Sequence, residues 1–258
     1  MVRPVLIDRV ERDHRQSDAQ FLRRRIVVAI TLAVGATLLG LSFSVRQGDP
    51  AFYPLTFGLA ATWAVGSFAS GPLHLGHISS GGTLRRPIAA PIAVGLALAG
   101  VFVLGAVVIR TIPPLASLAE DVLGYARASN LWLILVITLV NGVTEELFFR
   151  GAMYAAIPRH PVLWTTLAYV VATLATGNVM LGFAAIGVRF PVLISTIIYS
   201  LATVAGGNPM LVFAAAMLGT VVALQRRAGG GVLAPILTHI TWSLAMVLAL
   251  PPIFANAP

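Results

Sequence analysis

Several long segments of the sequence are almost entirely apolar, and short polar connections separate them. Residues 88–109, for example, contain no charged side chain. A helix needs about 20 consecutive apolar residues to cross the hydrocarbon core of a bilayer. Apolar residues make up 58% of the chain and charged residues only 10%, with a mean hydropathy of +0.90, and a soluble domain would leave much of that surface exposed. The sequence therefore predicts an all-α fold, a polytopic helical membrane bundle.

The order of polar and apolar segments predicts four regions. Residues 1–25 form a cytoplasmic tail of mixed charge, and residues 26–128 hold N-terminal transmembrane helices with an interfacial segment at 110–130. Residues 129–250 form a core with an internal repeat, and residues 251–258 a short C-terminal tail. The predicted spans are about Ile26–Val45, Phe52–Ser70, Ile88–Ile109, Leu131–Ile157 and Val232–Leu250.

The core region contains an internal duplication. Residues 161–185 recur as residues 191–215 at a fixed offset of thirty positions, with the Pro-Val-Leu, Gly-Asn and Phe-Ala-Ala elements retained. Chance similarity between apolar helices would not reproduce these elements at one spacing. Each unit is predicted to be an apolar helix, a Gly-Asn break and a second apolar stretch.

All seventeen basic residues are arginine, and they cluster in the N-terminal tail and in short connections. Because such charges favour the cytoplasmic side of a membrane, they predict a cytoplasmic N-terminus and about eight to nine transmembrane segments. The net charge of +8 is assigned to topology and to contact with membrane lipid, not to nucleic-acid binding. Basic content made only of arginine is typical of a GC-rich bacterial genome, which indicates a bacterial plasma membrane. The absence of cysteine excludes disulfides and thiolate chemistry.

Two adjacent carboxylates, Glu145 and Glu146, interrupt the fourth apolar segment, and Arg150 follows one helical turn later. After Glu146 the sequence contains no acidic residue, and His239 is the one histidine within an apolar segment. An ionisable side chain inside a membrane segment is costly, so it predicts a functional site. These four residues are therefore the candidates for chemistry.

The spacing of these residues predicts a different role for each of the two glutamates. Glu146 and Arg150 lie at i and i+4, which favours an ion pair, and Glu145 is offset from Glu146 by about 100°. Glu145 is then free to face a cavity shared with His239, where it would serve as a general base that activates water against a peptide carbonyl. In the alternative interpretation, Glu146 and Arg150 only neutralise each other near the membrane interface, with Glu145 solvated beside them.

The segment from Glu145 to Gly151 resembles the EExxxR motif of the CPBP family of intramembrane proteases, which includes the type II CAAX prenyl endopeptidases. The stretch from Gly231 to Ser243 is similar to the last motif of that family, HxxxN/D. The resemblance covers about residues 130–250 and implies a helical membrane bundle around a conical cavity.

The resemblance also implies a role for each matched residue. Glu145 is the base that activates water, and Glu146 and Arg150 are its motif companions. His239 holds the developing oxyanion or orients the water. The implied substrate is a membrane-associated peptide or protein.

Two positions depart from the motifs of the family. The middle motif, FxxxH, has threonine in place of histidine, at Thr173 in the first repeat unit, at Thr203 in the second, or at both. Ser243 stands where the last motif has Asn or Asp. A divalent metal such as zinc would rest on Glu145 and His239 and would have few ligands. A metal-free mechanism with hydrogen bonds from Thr203 and Ser243 stays open, as does ordinary hydroxyl bonding between helices.

The leading hypothesis is an intramembrane endopeptidase of the CPBP type, which cleaves a membrane-associated peptide, prenylated or not, through glutamate-activated water. The alternative is a catalytically inactive protein of the same fold that acts as a scaffold, sensor or immunity factor, which the missing middle histidine favours. A proton-coupled transporter is the third hypothesis, since a Glu pair and interrupted repeat helices also suit a proton path.

Overall fold

A computed structural model describes residues 3–10, 15–157 and 190–255, and these residues are mostly helical. The helices are α1 (Arg3–Leu6), α2 (Asp18–Ser44), α3 (Phe52–Ser70), α4 (Ala89–Ile109), α5 (Pro113–Arg127), α6 (Leu131–Ala156), α7 (Phe190–Val204), α8 (Pro209–Gly229) and α9 (Leu233–Phe254). Two short strands, β1 (Ile78–Ser80) and β2 (Thr83–Arg85), form an antiparallel hairpin between α3 and α4. The predicted all-α class is confirmed.

Five of the described helices are long and apolar enough to cross a membrane: α2, α4, α6, α8 and α9. Large apolar side chains such as Leu104 on α4 (71% exposed) and Val65 on α3 (68% exposed) point away from the protein, which suits contact with lipid. The chain is an integral membrane protein. The total of eight to nine crossings stays a prediction, because the first repeat unit, 161–185, falls outside the described residues.

Helix α2 begins at Asp18, well before the first predicted span at Ile26. The Ser17 hydroxyl accepts a hydrogen bond from the Gln20 N–H, and the Gln20 side chain accepts one from the Ser17 N–H. Such a capping box satisfies backbone donors that the start of a helix leaves without partners. The end of the segment assigned to the tail is therefore helical and continues into the first span.

Helix α5 occupies the segment predicted to be interfacial. Pro113 and Pro114 lie in its first turn, where a missing N–H breaks no helical bond. The Tyr125 hydroxyl lies 2.8 Å from the carbonyl oxygens of both Phe43 and Val45. This contact holds α5 against the end of α2.

The second repeat unit has the predicted form of a helix, a break and a helix. Gly207, in a left-handed conformation (φ 71°), follows α7. Asn208 then caps α8 by accepting a hydrogen bond from the Met210 N–H. The Gly-Asn pair therefore combines a turn that needs glycine with a helix cap.

The main core cluster lies where α2, α3, α6 and α7 meet. Trp63 of α3 stacks on Phe148 of α6, with ring centroids 4.5 Å apart, and Phe149 packs edge-on against Tyr199 of α7 at 4.7 Å. All four rings are buried. Because aromatic rings bury large areas and pack in defined geometries, this cluster fixes the part of α6 that follows the Glu pair.

Gly35 on α2 is expected to tolerate no side chain, because a Cβ there would overlap the ring of Trp63. Gly35→Ala should lower the free energy of unfolding by about 1–3 kcal/mol, the usual cost of overpacking, as measured by unfolding in detergent micelles. Gly100→Ala on α4 is the matched control, since a Cβ there meets no atom within 4 Å. An equal loss in both variants would contradict this account of the packing.

Candidate active site

The Glu pair ends the regular part of α6. The helix is α-helical from Leu131 to Glu146 and π-helical from Leu147 to Met153. In a π-helix the backbone hydrogen bonds join residues five apart. Such segments are rare in proteins overall, but those that occur are often found at functional sites. The irregular segment begins directly after the two carboxylates, so it sets the direction in which the following residues point.

Side chains from two neighbouring helices bind carbonyl groups of the π-helical segment. Ser195 of α7 donates its hydroxyl to the Phe149 carbonyl (3.3 Å), and Arg226 of α8 donates Nε–H to the Arg150 carbonyl (2.6 Å). All four residues are buried. Because a buried carbonyl without a partner is costly, these bonds stabilise the irregular backbone.

Glu146 is fully buried and uses one oxygen for two contacts. Its Oε1 lies 3.0 Å from a guanidinium nitrogen of Arg150 and 2.7 Å from Nδ1 of His239. The ion pair with Arg150 is the one expected from the i, i+4 spacing. A buried charge persists only when it is compensated, and Arg150 supplies that compensation. The guanidinium carbon of Arg150 also lies 4.4 Å from the centre of the Tyr199 ring.

His239 approaches α6 beside a glycine. A Cβ on Gly142 would lie 3.6 Å from the His239 ring and 3.2 Å from Ile240, so a larger residue there would crowd α9. The sequence predicts that the His239 imidazole shares a cavity with Glu145. In the structure the imidazole forms its hydrogen bond with Glu146. An ionised carboxylate only accepts hydrogen bonds, so Nδ1 of His239 is assigned the proton of this bond, and Nε2 is the nitrogen without this contact.

Glu145 lies beside Glu146 but turns into a different space. Its Oε2 accepts a hydrogen bond from the Tyr199 phenol (2.8 Å), and the side chain lines a cavity of about 190 Å³. His239 and Thr203 line the same cavity, and most of the other lining residues are apolar or aromatic. The structure therefore brings a carboxylate, a phenol and an imidazole to one cavity among the helices.

The remaining predicted site residues are placed differently. Thr203 lines the cavity, but its hydroxyl donates to the Ser200 carbonyl (2.7 Å). Ser243 follows His239 by one turn of α9 and is not among the described residues that line the cavity. Thr173 lies outside the described residues. Of the two middle-motif threonines, Thr203 is the one that the described structure brings to the site.

Tyr199 is a site residue that comparison of motifs overlooks. Tyr199 is the first residue of the stretch that corresponds to FxxxH. The motif departs from its pattern at Thr203, and this departure does not point to the tyrosine. The available signal is the spacing, because residues four apart on a helix share a face. A phenol one turn before Thr203 is therefore expected to reach the same cavity.

The described donors do not fit a zinc site. No group of three His, Cys, Asp or Glu side chains within 3–10, 15–157 and 190–255 is arranged to hold a metal ion, and zinc sites have at least three protein ligands. Glu146 Oε1 already contacts Arg150 and His239, and Glu145 Oε2 binds Tyr199. The predicted ligand pair, Glu145 and His239, therefore lacks a third protein ligand among these residues.

The chain has apolar helices of membrane-spanning length, a buried ion pair, and a cavity that contains a carboxylate and an imidazole. These features define an integral membrane protein with ionisable groups at a cavity among its helices. Residues 127–245, somewhat less than half of the chain, match the family model described as type II CAAX prenyl endopeptidase Rce1-like. Residues 127–245 are therefore similar to this family, as the motif resemblance predicts. No curated protein and no solved structure matches the chain.

Proposed function

We propose that the protein is an intramembrane endopeptidase that hydrolyses a peptide bond of a membrane-associated substrate, prenylated or not. The observation that carries the proposal is the position of Glu145, whose carboxylate lines one cavity with the His239 imidazole. Its neighbour Glu146 is instead engaged in the ion pair with Arg150. Glu146 thus compensates the charge of Arg150, and Glu145 is accessible to a reactant in the cavity.

In the proposed reaction Glu145 takes a proton from a water molecule in the cavity, and the resulting hydroxide adds to the carbonyl carbon of the peptide bond. Negative charge develops on the carbonyl oxygen, where Nε2–H of a doubly protonated His239 donates a hydrogen bond. Collapse of the tetrahedral intermediate breaks the C–N bond, and Glu145 returns the proton to the leaving amine.

The charges of the site suit this mechanism. Arg150 and His239 contact the Glu146 carboxylate, and the Tyr199 phenol donates to the Glu145 carboxylate. Burial of isolated charges is costly, whereas compensated charges are tolerated. The proposed base, Glu145, therefore lies among groups that can compensate a carboxylate charge.

The arginine-bearing end of the bundle is proposed to face the cytoplasm of a bacterial cell. Arg23 near the start of α2 donates to the Ala69 carbonyl at the end of α3. The His77 N–H, beside the β-hairpin, donates to the Gly229 carbonyl at the end of α8. These contacts bring the start of α2, the segment beside the β-hairpin and the end of α8 to one end of the bundle. The arginine residues of these segments support a cytoplasmic orientation of that end.

The proposal is tested with the full-length protein in liposomes and one peptide in two forms, either tethered to the bilayer or free in solution. Mass spectrometry is expected to show cleavage of the tethered peptide, with the free peptide at least about ten-fold slower because tethering raises its effective concentration. A folded protein that cleaves no member of a tethered peptide library would contradict the proposal.

Chelators are expected to leave the peptidase activity unchanged. Because the described donors lack a third ligand, 1,10-phenanthroline or EDTA should change kcat/KM by less than about two-fold, unlike a zinc peptidase that depends on its metal. A zinc peptidase assayed in the same buffer serves as the positive control. Activity that is lost with the chelator and regained with added zinc would refute the metal-free mechanism.

A further inference from the structure

We infer that Tyr199 is a positioning residue for Glu145, to which it donates a hydrogen bond one helical turn before the position of the missing middle-motif histidine. The inference rests on the proposed hydrolysis, in which Glu145 is the base. Its main evidence is the 2.8 Å hydrogen bond from the Tyr199 phenol to Oε2 of Glu145. Thr203, which stands at the position of that histidine, directs its hydroxyl to the Ser200 carbonyl instead.

The Tyr199 ring is held from several sides. Phe149 packs edge-on against it at 4.7 Å, and the Arg150 guanidinium lies over its face at 4.4 Å. A Cβ on Gly219 of α8 would lie only 3.1 Å from the ring, so glycine provides the space that the ring occupies. The side chain is 6% exposed. Because the ring is fixed by packing, its hydroxyl is a fixed donor.

A fixed donor matters because a carboxylate can otherwise rotate and present either oxygen. The phenol occupies Oε2, which leaves Oε1 of Glu145 for the water molecule. A base held in one orientation contributes more than one that must be ordered during the reaction, and a displacement of about 1 Å can cost about 10²-fold in rate. Arg150 links this contact to the ion pair, since it stacks on Tyr199 and binds Glu146.

The kinetic test is Tyr199→Phe, which keeps the ring and removes only the hydroxyl. The kcat for a tethered peptide should fall at least about ten-fold with KM within about two-fold, because orientation of the base affects the chemical step more than binding. Tyr125→Phe is the matched control, since it removes a phenol that binds the Phe43 and Val45 carbonyls, and Tyr125 itself is not among the described residues that line the cavity. Unchanged kcat in Tyr199→Phe, or an equal loss in Tyr125→Phe, would overturn the inference.

A rescue variant separates positioning from packing. Thr203 lies one turn after Tyr199 and lines the same cavity, so Thr203→His introduces a ring N–H donor on the face that Glu145 contacts. Combined with Tyr199→Phe, it should restore much of the lost kcat. If Tyr199→Phe does not fold, Tyr199→His, which keeps a ring and a donor, replaces it. The inference fails if neither donor restores the rate in a folded protein.

A measurement that needs no turnover distinguishes failure of this inference from failure of the proposed function. A hydrophobic carbodiimide modifies carboxyl oxygens, and mass spectrometry gives its rate of reaction at Glu145. Tyr199→Phe should react several-fold faster at Glu145, because the carboxylate loses the hydrogen bond that orients it and both of its oxygens become accessible. Thr203→His should reverse the change. An unchanged labelling rate overturns the inference, whereas changed labelling in a protein that cleaves no peptide overturns only the hydrolysis.

Discussion

Glu145→Gln is expected to lower kcat for a tethered peptide by about 10²–10⁴-fold, the usual contribution of a general base. Glutamine keeps the size of the side chain and an oxygen that accepts the hydrogen bond from Tyr199, so the fold and KM should change little. The lost property is the ability to take a proton from water. Turnover in liposomes tests the expectation, with the unfolding midpoint of each variant measured alongside.

Glu120→Gln provides the control for that experiment. It makes the same chemical change on α5, at a residue that does not line the cavity among those described. Its kcat should stay within about two-fold of the wild type, as expected of a carboxylate that is not the base. A Glu145→Gln protein with wild-type kcat would show that another group accepts the proton, and the proposed role of Glu145 would be wrong.

The positions of the helices were largely predictable because a helix in lipid must satisfy its own backbone hydrogen bonds. Apolar length and local breaks then determine much of each helix. Helix α3 has the predicted bounds, and α4 begins one residue after the predicted start at Ile88. The break at Gly207 and Asn208 follows from a left-handed turn and a helix cap. These signals lie within a few residues of the features that they determine.

The candidate site was predictable only where its contacts are local. The ion pair between Glu146 and Arg150 follows from the spacing along one helix. The contact between Glu146 and His239 does not, because it depends on how closely α9 packs beside Gly142. The length of an apolar segment predicts that a helix forms there. It does not predict which polar atoms of different helices come into contact.

The π-helical segment shows the same limit. Its backbone departs from the regular pattern where Ser195 and Arg226, both distant in sequence, bind its carbonyl groups. No feature of the local sequence Leu147–Met153 predicts those partners. Tyr199 was overlooked for a related reason, since its phenol acquires a role only when α7 packs against α6.

Arg150→Met is expected to lower the free energy of unfolding by about 3–5 kcal/mol, the usual cost of removing one partner of a buried ion pair. Arg150 and Glu146 are both fully buried, and their contact is 3.0 Å. Without the guanidinium, the Glu146 carboxylate keeps only the imidazole of His239 as a described hydrogen-bond partner. Unfolding in mixed micelles with a rising fraction of denaturing detergent measures the loss.

The double variant Glu146→Gln/Arg150→Met separates the cost of an unpaired charge from the loss of packing. Because a buried pair replaced by neutral groups of similar volume costs less than a broken pair, the double variant should be more stable than Arg150→Met alone. Arg25→Met on the exposed face of α2 should change stability by no more than about 0.5 kcal/mol. If the double variant loses the sum of the losses measured separately for Glu146→Gln and Arg150→Met, the two side chains are not energetically coupled. The charge balance that leaves Glu145 open to a reactant would then have no support.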